Sequence, residues 1–385
     1  MKTIGVRESG MGFSRTLVLG LPMLLLTGLM LSGGRLPALT AERLALSLSL
    51  LFFNLLFHLM LRTGRTDRYR AILFITYSVA FVLSFITHLI EVRGSMALSG
   101  ANLIEGETPF CHIVIPMTLI PAALTKTIIY PGTLTGVRAS IAGMFVLWIG
   151  ASLALGRGFC GWVCFFGGLE DGFSRLLRRP LIKRINPRWS YLPYAVLLVV
   201  VLTAAVTLSP TYCEWLCPFK TVTEYVQVTS VKVAIQTAIF LSLFVGLVIV
   251  LPILTKRRTQ CGILCPFGAF QSATNKLNVF EVRIDRKECV ECGLCARVCP
   301  TFSMDEASIK RGKSRISCMK CGKCMDACPR KAISYHVKGG TGCGGMLPRL
   351  LFLYPAFLFL AVMAGRNVQE AILRVIRLVL TGSMI

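Results

Sequence analysis

Apolar runs of nearly membrane-spanning length alternate with short basic loops along this chain. They occupy residues 16–31, 41–61, 71–92, 137–155, 191–208, 233–254 and 347–364, each near the roughly 20 residues that a helix needs to cross a hydrocarbon core. Residues 113–130 are apolar too, but Pro116 and Pro121 break the run and Pro131 follows it. That segment reads as re-entrant or interfacial rather than spanning. The pattern predicts all-α polytopic membrane helices, six to seven spans plus the re-entrant segment. Residues 16–31 read as an uncleaved first helix rather than a signal peptide, because the run is long and no small-x-small site follows it closely. After 347–364, Arg366, Glu370, Arg374 and Arg377 fall on one stripe, as in an interfacial amphipathic helix.

Composition agrees with the pattern: 54% of residues are hydrophobic and 16% charged, and mean hydropathy is +0.68. The net charge of +24 would suit a nucleic-acid binder. It collects in loops between apolar runs instead, which excludes that class. Inner segments hold 31 Lys and Arg and outer segments with their helix ends hold seven, so the basic loops predict the cytoplasmic side of an inner membrane.

One polar stretch interrupts the apolar chain. It reads CVECGLCARVCP, then a 17-residue interval, then CMKCGKCMDACP. Each half has the C-x2-C-x2-C-x3-C-P spacing of bacterial two-cluster ferredoxins, in which the fourth cysteine ligates the other cluster. One [4Fe–4S] cluster is expected on Cys289, Cys292, Cys295 and Cys328, and a second on Cys318, Cys321, Cys324 and Cys299. Two structural zinc sites are the bland alternative, which the duplicated, proline-terminated run disfavours. Thiolate clusters need a reducing compartment, so this α+β module should face the cytoplasm. The domains expected are membrane helices over 1–92, a membrane redox core over 93–274, the ferredoxin over 275–340, and a last helix with amphipathic tail over 341–385.

Three further cysteine pairs, Cys160/Cys164, Cys213/Cys217 and Cys261/Cys265, each follow an apolar helix and recur at intervals of 53 and 48 residues. Such recurrence marks a repeated helix-plus-loop unit, and thiols at i and i+4 share a helix face. The topology puts Cys160, Cys164, Cys261 and Cys265 together on the cytoplasmic side as a metal site. It leaves Cys213 and Cys217 outside with Cys111, as a second centre with His112 or a water as fourth ligand. Cys343 reads as a packing residue. His58 and His88 differ in depth by roughly 20 Å, at 1.5 Å per residue, and cannot share a haem; His336 reads as a surface residue.

The segments GRGFCGWVC and CGILCPFGAF together with the ferredoxin runs resemble the NapH/NosR family of membrane polyferredoxins, over residues 71–338. The chain departs from the family at Phe165, where proline is usual, and in its extra CEWLCPF pair. The resemblance implies an electron-transfer protein between the quinone pool and a partner reductase or its maturation system. Arg286, Lys287, Arg297, Lys320, Lys323, Arg330 and Lys331 around the cluster runs favour an acidic redox partner. The rival readings are a membrane metal reductase or redox-sensing regulator, and a subunit of an ion-pumping complex; few intramembrane carboxylates support the last.

Overall fold

The computed structural model describes residues 11–34, 40–93, 111–126, 141–183, 185–223, 230–340 and 345–382. Five of its helices are long and apolar enough to cross a bilayer: Phe13–Ser32, Ala41–Thr63, Arg188–Thr207, Val231–Thr255 and Met346–Thr381. The run expected at 71–92 lies in the 28-residue helix Thr66–Arg93. The run expected at 137–155 is the 15-residue helix Ile141–Leu155.

Phe13–Ser32 buries only Thr16, Met23 and Thr27, while Leu17, Val18, Leu21 and Leu25 face outward. A helix with apolar residues on its outer face suits lipid rather than water. Its polar contact is internal: Asn54 Nδ2 donates to Thr27 Oγ1 at 3.1 Å, the kind of hydrogen bond that joins helices in lipid. His58 has a structural partner, with Nε2 3.4 Å from Thr16 Oγ1. The side chain of His88, and Cys343, lie outside the described residues.

The C-terminal run differs from expectation. It is one unbroken helix over Met346–Thr381, not a span followed by a separate tail. At 1.5 Å per residue its 36 residues cover about 54 Å. Arg349 anchors its start by donating to Met60 O and Thr66 Oγ1. At the other end, Arg374 pairs with Glu370 at 2.8 Å. Small residues let its neighbours approach: a Cβ on Gly365 would stand 1.9 Å from Leu31 Cδ2.

The segment broken by prolines is a short turn over His112–Val114 followed by the 11-residue helix Ile115–Thr125. Eleven residues reach about 16 Å, half of a hydrocarbon core. His112 through Thr118 are buried.

The polar module pairs β1 (Phe280–Ile284) antiparallel with β2 (Ile333–Val337), from Phe280 opposite Val337 to Ile284 opposite Ile333. Phe280, Val282, Ile284, Ile333 and Tyr335 form its core. Tyr335 stacks on Phe352 at 4.4 Å, and Trp162 meets the same ring edge-on. The module therefore packs directly on the foot of the long helix. His336 is buried on β2, not on the surface as expected, with Nε2 3.1 Å from Ser334 Oγ on the same face of the strand.

Candidate functional site

Each ferredoxin run wraps its cysteines by the same backbone device. Glu291 and Gly293 in the first run, and Lys320 and Gly322 in the second, have positive φ. Left-handed residues within a tight loop make a concavity of amide groups suited to an anion. Cys289, Cys292, Cys295 and the distant Cys328 line one cavity with Ile284, Leu294, Ile309 and Ile333. Cys299 lies within electrostatic range of Cys318, Cys321 and Cys324 instead. Cys328 thus lies with the first three cysteines, and Cys299 lies near the second three. Burial pushes the Cys321 thiol up to about 12, though nearby Arg70 opposes it. A thiolate there needs further positive charge, which bound iron supplies.

The membrane pairs owe their positions to chain reversals. Pro252 has no N–H for the carbonyl five residues back, and the helix runs as a π stretch over Phe244–Val250. Thr259 Oγ1 donates to that carbonyl, Leu247 O, at 2.5 Å, so the chain after Lys256 folds back into the bundle. Cys261 and Cys265 are carried with it. They line a cavity together with Cys160, Cys164, His112, Arg157, Gln260 and Phe267. The two loops repeat each other closely. Cys164 has φ −71°, ψ 107° and Cys265 has φ −70°, ψ 111°, each starting the next helix. Phe165 therefore does at the first helical position what Pro266 does in the other loop.

Two arginines missed at the level of sequence complete this site. Arg157 and Arg258 each stand three residues before the first cysteine of a pair, and each reaches across to the other loop. Arg258 Nη2 donates to Cys160 O at 3.0 Å and to Cys261 Sγ at 3.2 Å. Arg157 Nη2 donates to Cys261 O at 3.5 Å and Nη1 to Ser272 Oγ at 2.8 Å. Glycines make room: a Cβ on Gly167 would stand 1.8 Å from Arg258 Nη2, and one on Gly268 3.3 Å from Arg157 Nη2. The signal was the repeated R-x2-C-G-x2-C-x-F-G, which the middle pair lacks, having Pro210 and Lys220 at the arginine and glycine positions.

Both guanidinium groups are buried, with one carboxylate, Glu170, 3.9 Å from Arg258 Nε. Glu170 also accepts from the amides of Gln260 and Cys261. Among the described residues, Arg157 Nε and Arg258 Nε have no hydrogen-bond partner. Buried cations in excess, with orphaned donors beside four thiols, fit an anionic cluster. No three His, Cys, Asp or Glu side chains among the described residues converge tightly enough for a single ion; four thiolates around a cubane stand farther apart than four around one metal.

The expectation of a separate centre at the opposite face needs correcting. His112 Nε2 lies 3.1 Å from Cys164 Sγ, so the Cys111–His112 step sits against the four-cysteine cavity. The loop carrying Cys213 and Cys217 also folds back, with Thr211 Oγ1 donating to Val200 O midway along its helix. Gln260 Nε2 then donates to Tyr212 OH at 2.7 Å, and Phe219 stacks on Phe166 at 3.9 Å. Loops that fold back onto their own helices bring these cysteines toward the same region. The counting of spans could not register that.

The ferredoxin meets this cavity through its second cluster set. Arg257 Nη1 donates to Cys299 O at 2.9 Å, and Arg70 links Cys321 O to Gly161 O at 3.1 and 2.8 Å. Arg70 is held by Asp67 and Asp171, which Arg175 also pairs. Lys320 is buried, not available to a partner; its Nζ donates to Leu155 O at 3.0 Å, and burial lowers its pKa to about 7. On the far side, Cys292, Arg286, Lys287, Arg297, Arg330 and Lys331 are exposed.

Comparison with known proteins agrees with this geometry. A family described as 4Fe-4S binding domain matches three times, at residues 137–184, 189–235 and 237–285, once per helix-plus-loop unit. A 4Fe-4S dicluster domain matches residues 281–329. YccM of Escherichia coli is 28% identical over 176 residues, covering 44% of this chain and 48% of YccM. The regulatory protein NosR of Stutzerimonas stutzeri is 29% identical over 169 residues, 40% of this chain and 22% of NosR. The ferredoxin-type protein NapH of Haemophilus influenzae is 28% identical over 172 residues, 44% of this chain and 55% of NapH. These alignments span about half of YccM and NapH and less of NosR. No solved structure matches. The chain carries iron–sulfur domains, and its resemblance to NapH/NosR-type membrane polyferredoxins holds.

Proposed function

We propose that this chain is a membrane-embedded relay for single electrons between a redox partner at the ferredoxin surface and the quinone pool or a partner reductase. One observation carries the reading: the second ferredoxin set, through Cys299, Met319 and Cys321, packs on the loops of Cys160/Cys164 and Cys261/Cys265. Two [4Fe–4S] clusters would be held by the crossed sets, and a third centre by Cys160, Cys164, Cys261 and Cys265. Cys111, Cys213 and Cys217 are the candidates for a further centre beside it. When bound, such clusters gain and lose one electron with no bond made or broken in a substrate.

The protein's own residues supply what that chemistry needs. Phe166, Phe219 and Phe267 close the membrane cavity against water, while Arg157 and Arg258 offset thiolate charge. The exposed side of the first set, where Cys292, Arg286, Lys287, Arg297 and Arg330 are all exposed, suits an acidic partner. The ferredoxin is taken to face the cytoplasm and the helices to lie in an inner membrane, on the lysine and arginine asymmetry.

An anaerobic redox titration of the full chain, followed by EPR and iron analysis with and without a quinol analogue, tests this. The expected result is at least three cluster equivalents, about 12 iron atoms per chain, with reduction by the quinol analogue. Eight iron atoms that are all removed by replacing ferredoxin cysteines would refute a membrane centre.

A further inference from the structure

The two arginines that cross between the cysteine loops are not equivalent. Arg157 spreads its guanidinium onto Ser272 and a carbonyl and lies beside the Cys160 thiol, with no reach to the ferredoxin runs among its hydrogen bonds. Arg258 donates directly to Cys261 Sγ, and its other terminal nitrogen donates to Met319 Sδ at 3.0 Å. Met319 lies between Cys318 and Cys321 of the second ferredoxin run. Arg258 N also donates to Pro300 O, next to Cys299. One buried residue thus touches a thiol of the membrane set and the peptide loops of the second ferredoxin set.

The surroundings of Arg258 are also asymmetric. Six residues after the second cysteine stands Glu170 in one loop and Gln271 in the other. Glu170 lies 3.9 Å from Arg258 Nε, whereas neutral Gln271 bonds Ser152 Oγ and Trp148 Nε1. Asp171 and Arg70 lie nearby, but in a set with Asp67 and Arg175 where two carboxylates meet two guanidinium groups. The net local charge beside Cys261 is therefore set by Arg258 and Arg157 against Glu170, and of the two arginines Arg258 is the one facing that carboxylate.

We propose that Arg258 is a positioning residue that raises the reduction potential of the membrane centre relative to the ferredoxin centres, with Glu170 as its opposing charge. The physical basis is general. Reduction adds negative charge, a charge-assisted N–H···S bond stabilises that charge, and hydrogen bonds to sulfur with net charge set cluster potentials. The low polarity of the site strengthens both effects. This inference rests on the presence of a membrane centre, as proposed above.

The test is an EPR-monitored redox titration of the purified, anaerobically assembled full chain, alongside Arg258→Gln, Arg258→Lys and Glu170→Gln, with iron measured on each. Arg258→Gln should lower the membrane midpoint, so that at the wild-type midpoint the reduced-to-oxidised ratio falls about tenfold or more, 59 mV per tenfold for one electron. Arg258→Lys keeps the charge and should shift less. Glu170→Gln removes the opposing charge and should shift the midpoint upward. A membrane midpoint unmoved in Arg258→Gln with full iron overturns the proposal, as do shifts of the same sign in Arg258→Gln and Glu170→Gln. Should Arg258→Gln lose its membrane iron, Glu170→Gln decides: an unchanged or lowered midpoint overturns it. Absence of any membrane signal from the wild-type chain refutes the underlying relay reading instead.

Discussion

Gly161 offers a sharp test of how the ferredoxin docks. A Cβ added there would stand 2.5 Å from Met319 O, a backbone atom, where ordinary contact begins near 3.4 Å. The loop or the ferredoxin run must give by about 1 Å, and Met319 is fixed by cluster cysteines on both sides. Overpacking of this kind costs about 1–3 kcal/mol. Movement of the run also pulls on Trp162 Nε1 to Lys320 O at 3.1 Å and Arg70 Nε to Cys321 O at 3.1 Å. Each broken bond leaves a buried donor unpaired, at about 1–3 kcal/mol. With one bond lost, Gly161→Ala should weaken docking by about 2–6 kcal/mol. The assay is hydrogen exchange at the amides of residues 318–322, whose protection should fall at least about 30-fold at 1.4 kcal/mol per tenfold. Iron content should hold, since no cysteine changes. Gly262 is the control, because a Cβ there meets only the Phe302 ring at 3.5 Å and its neighbours. Unchanged protection in Gly161→Ala, or equal loss in Gly262→Ala, would refute the docking argument.

Other outcomes follow from the same geometry. Cys299→Ser should perturb the EPR signal of the buried ferredoxin cluster and leave that of the exposed one, because Cys299 groups with Cys318, Cys321 and Cys324; the reverse would disprove the crossed assignment. Cys160→Ser with Cys265→Ser should lower iron by about one third while the ferredoxin signals persist, and unchanged iron would count against the membrane centre. Thr259→Val should lose the bond to Leu247 O, leave that carbonyl unpaired at about 1–3 kcal/mol, and lower the midpoint of thermal unfolding. Wild-type thermal stability would show that the fold-back does not depend on it. A reporter fused after residue 382 should lie across the membrane from one inserted at Arg65, because the helix Met346–Thr381, tied to Thr66 through Arg349, runs about 54 Å. Both reporters on one side would mean that this helix does not cross.

The sequence by itself determined the kinds of element and the chemistry. Apolar runs near 20 residues dictate membrane helices wherever backbone groups must bond internally, and five described helices long and apolar enough to cross fall on such runs. The C-x2-C-x2-C-x3-C-P spacing dictates the ferredoxin loops, because ligand reach there is a local property of the backbone. Tertiary structure alone decided where the membrane cysteines meet. Counting spans treats every loop as resting at a surface, but Pro252 frees the Leu247 carbonyl and Thr259 turns the chain inward to bond it. A similar fold-back at Thr211 carries Cys213 and Cys217 toward Gln260 and Cys265. The roles of Arg157 and Arg258 were hidden for a related reason. Each lies in a basic loop that the charge rule counts as solvated, and only packing shows it buried against the cysteine loop of the other repeat. Buried charge and chain reversal depend on partners about 100 residues away, which no local pattern encodes.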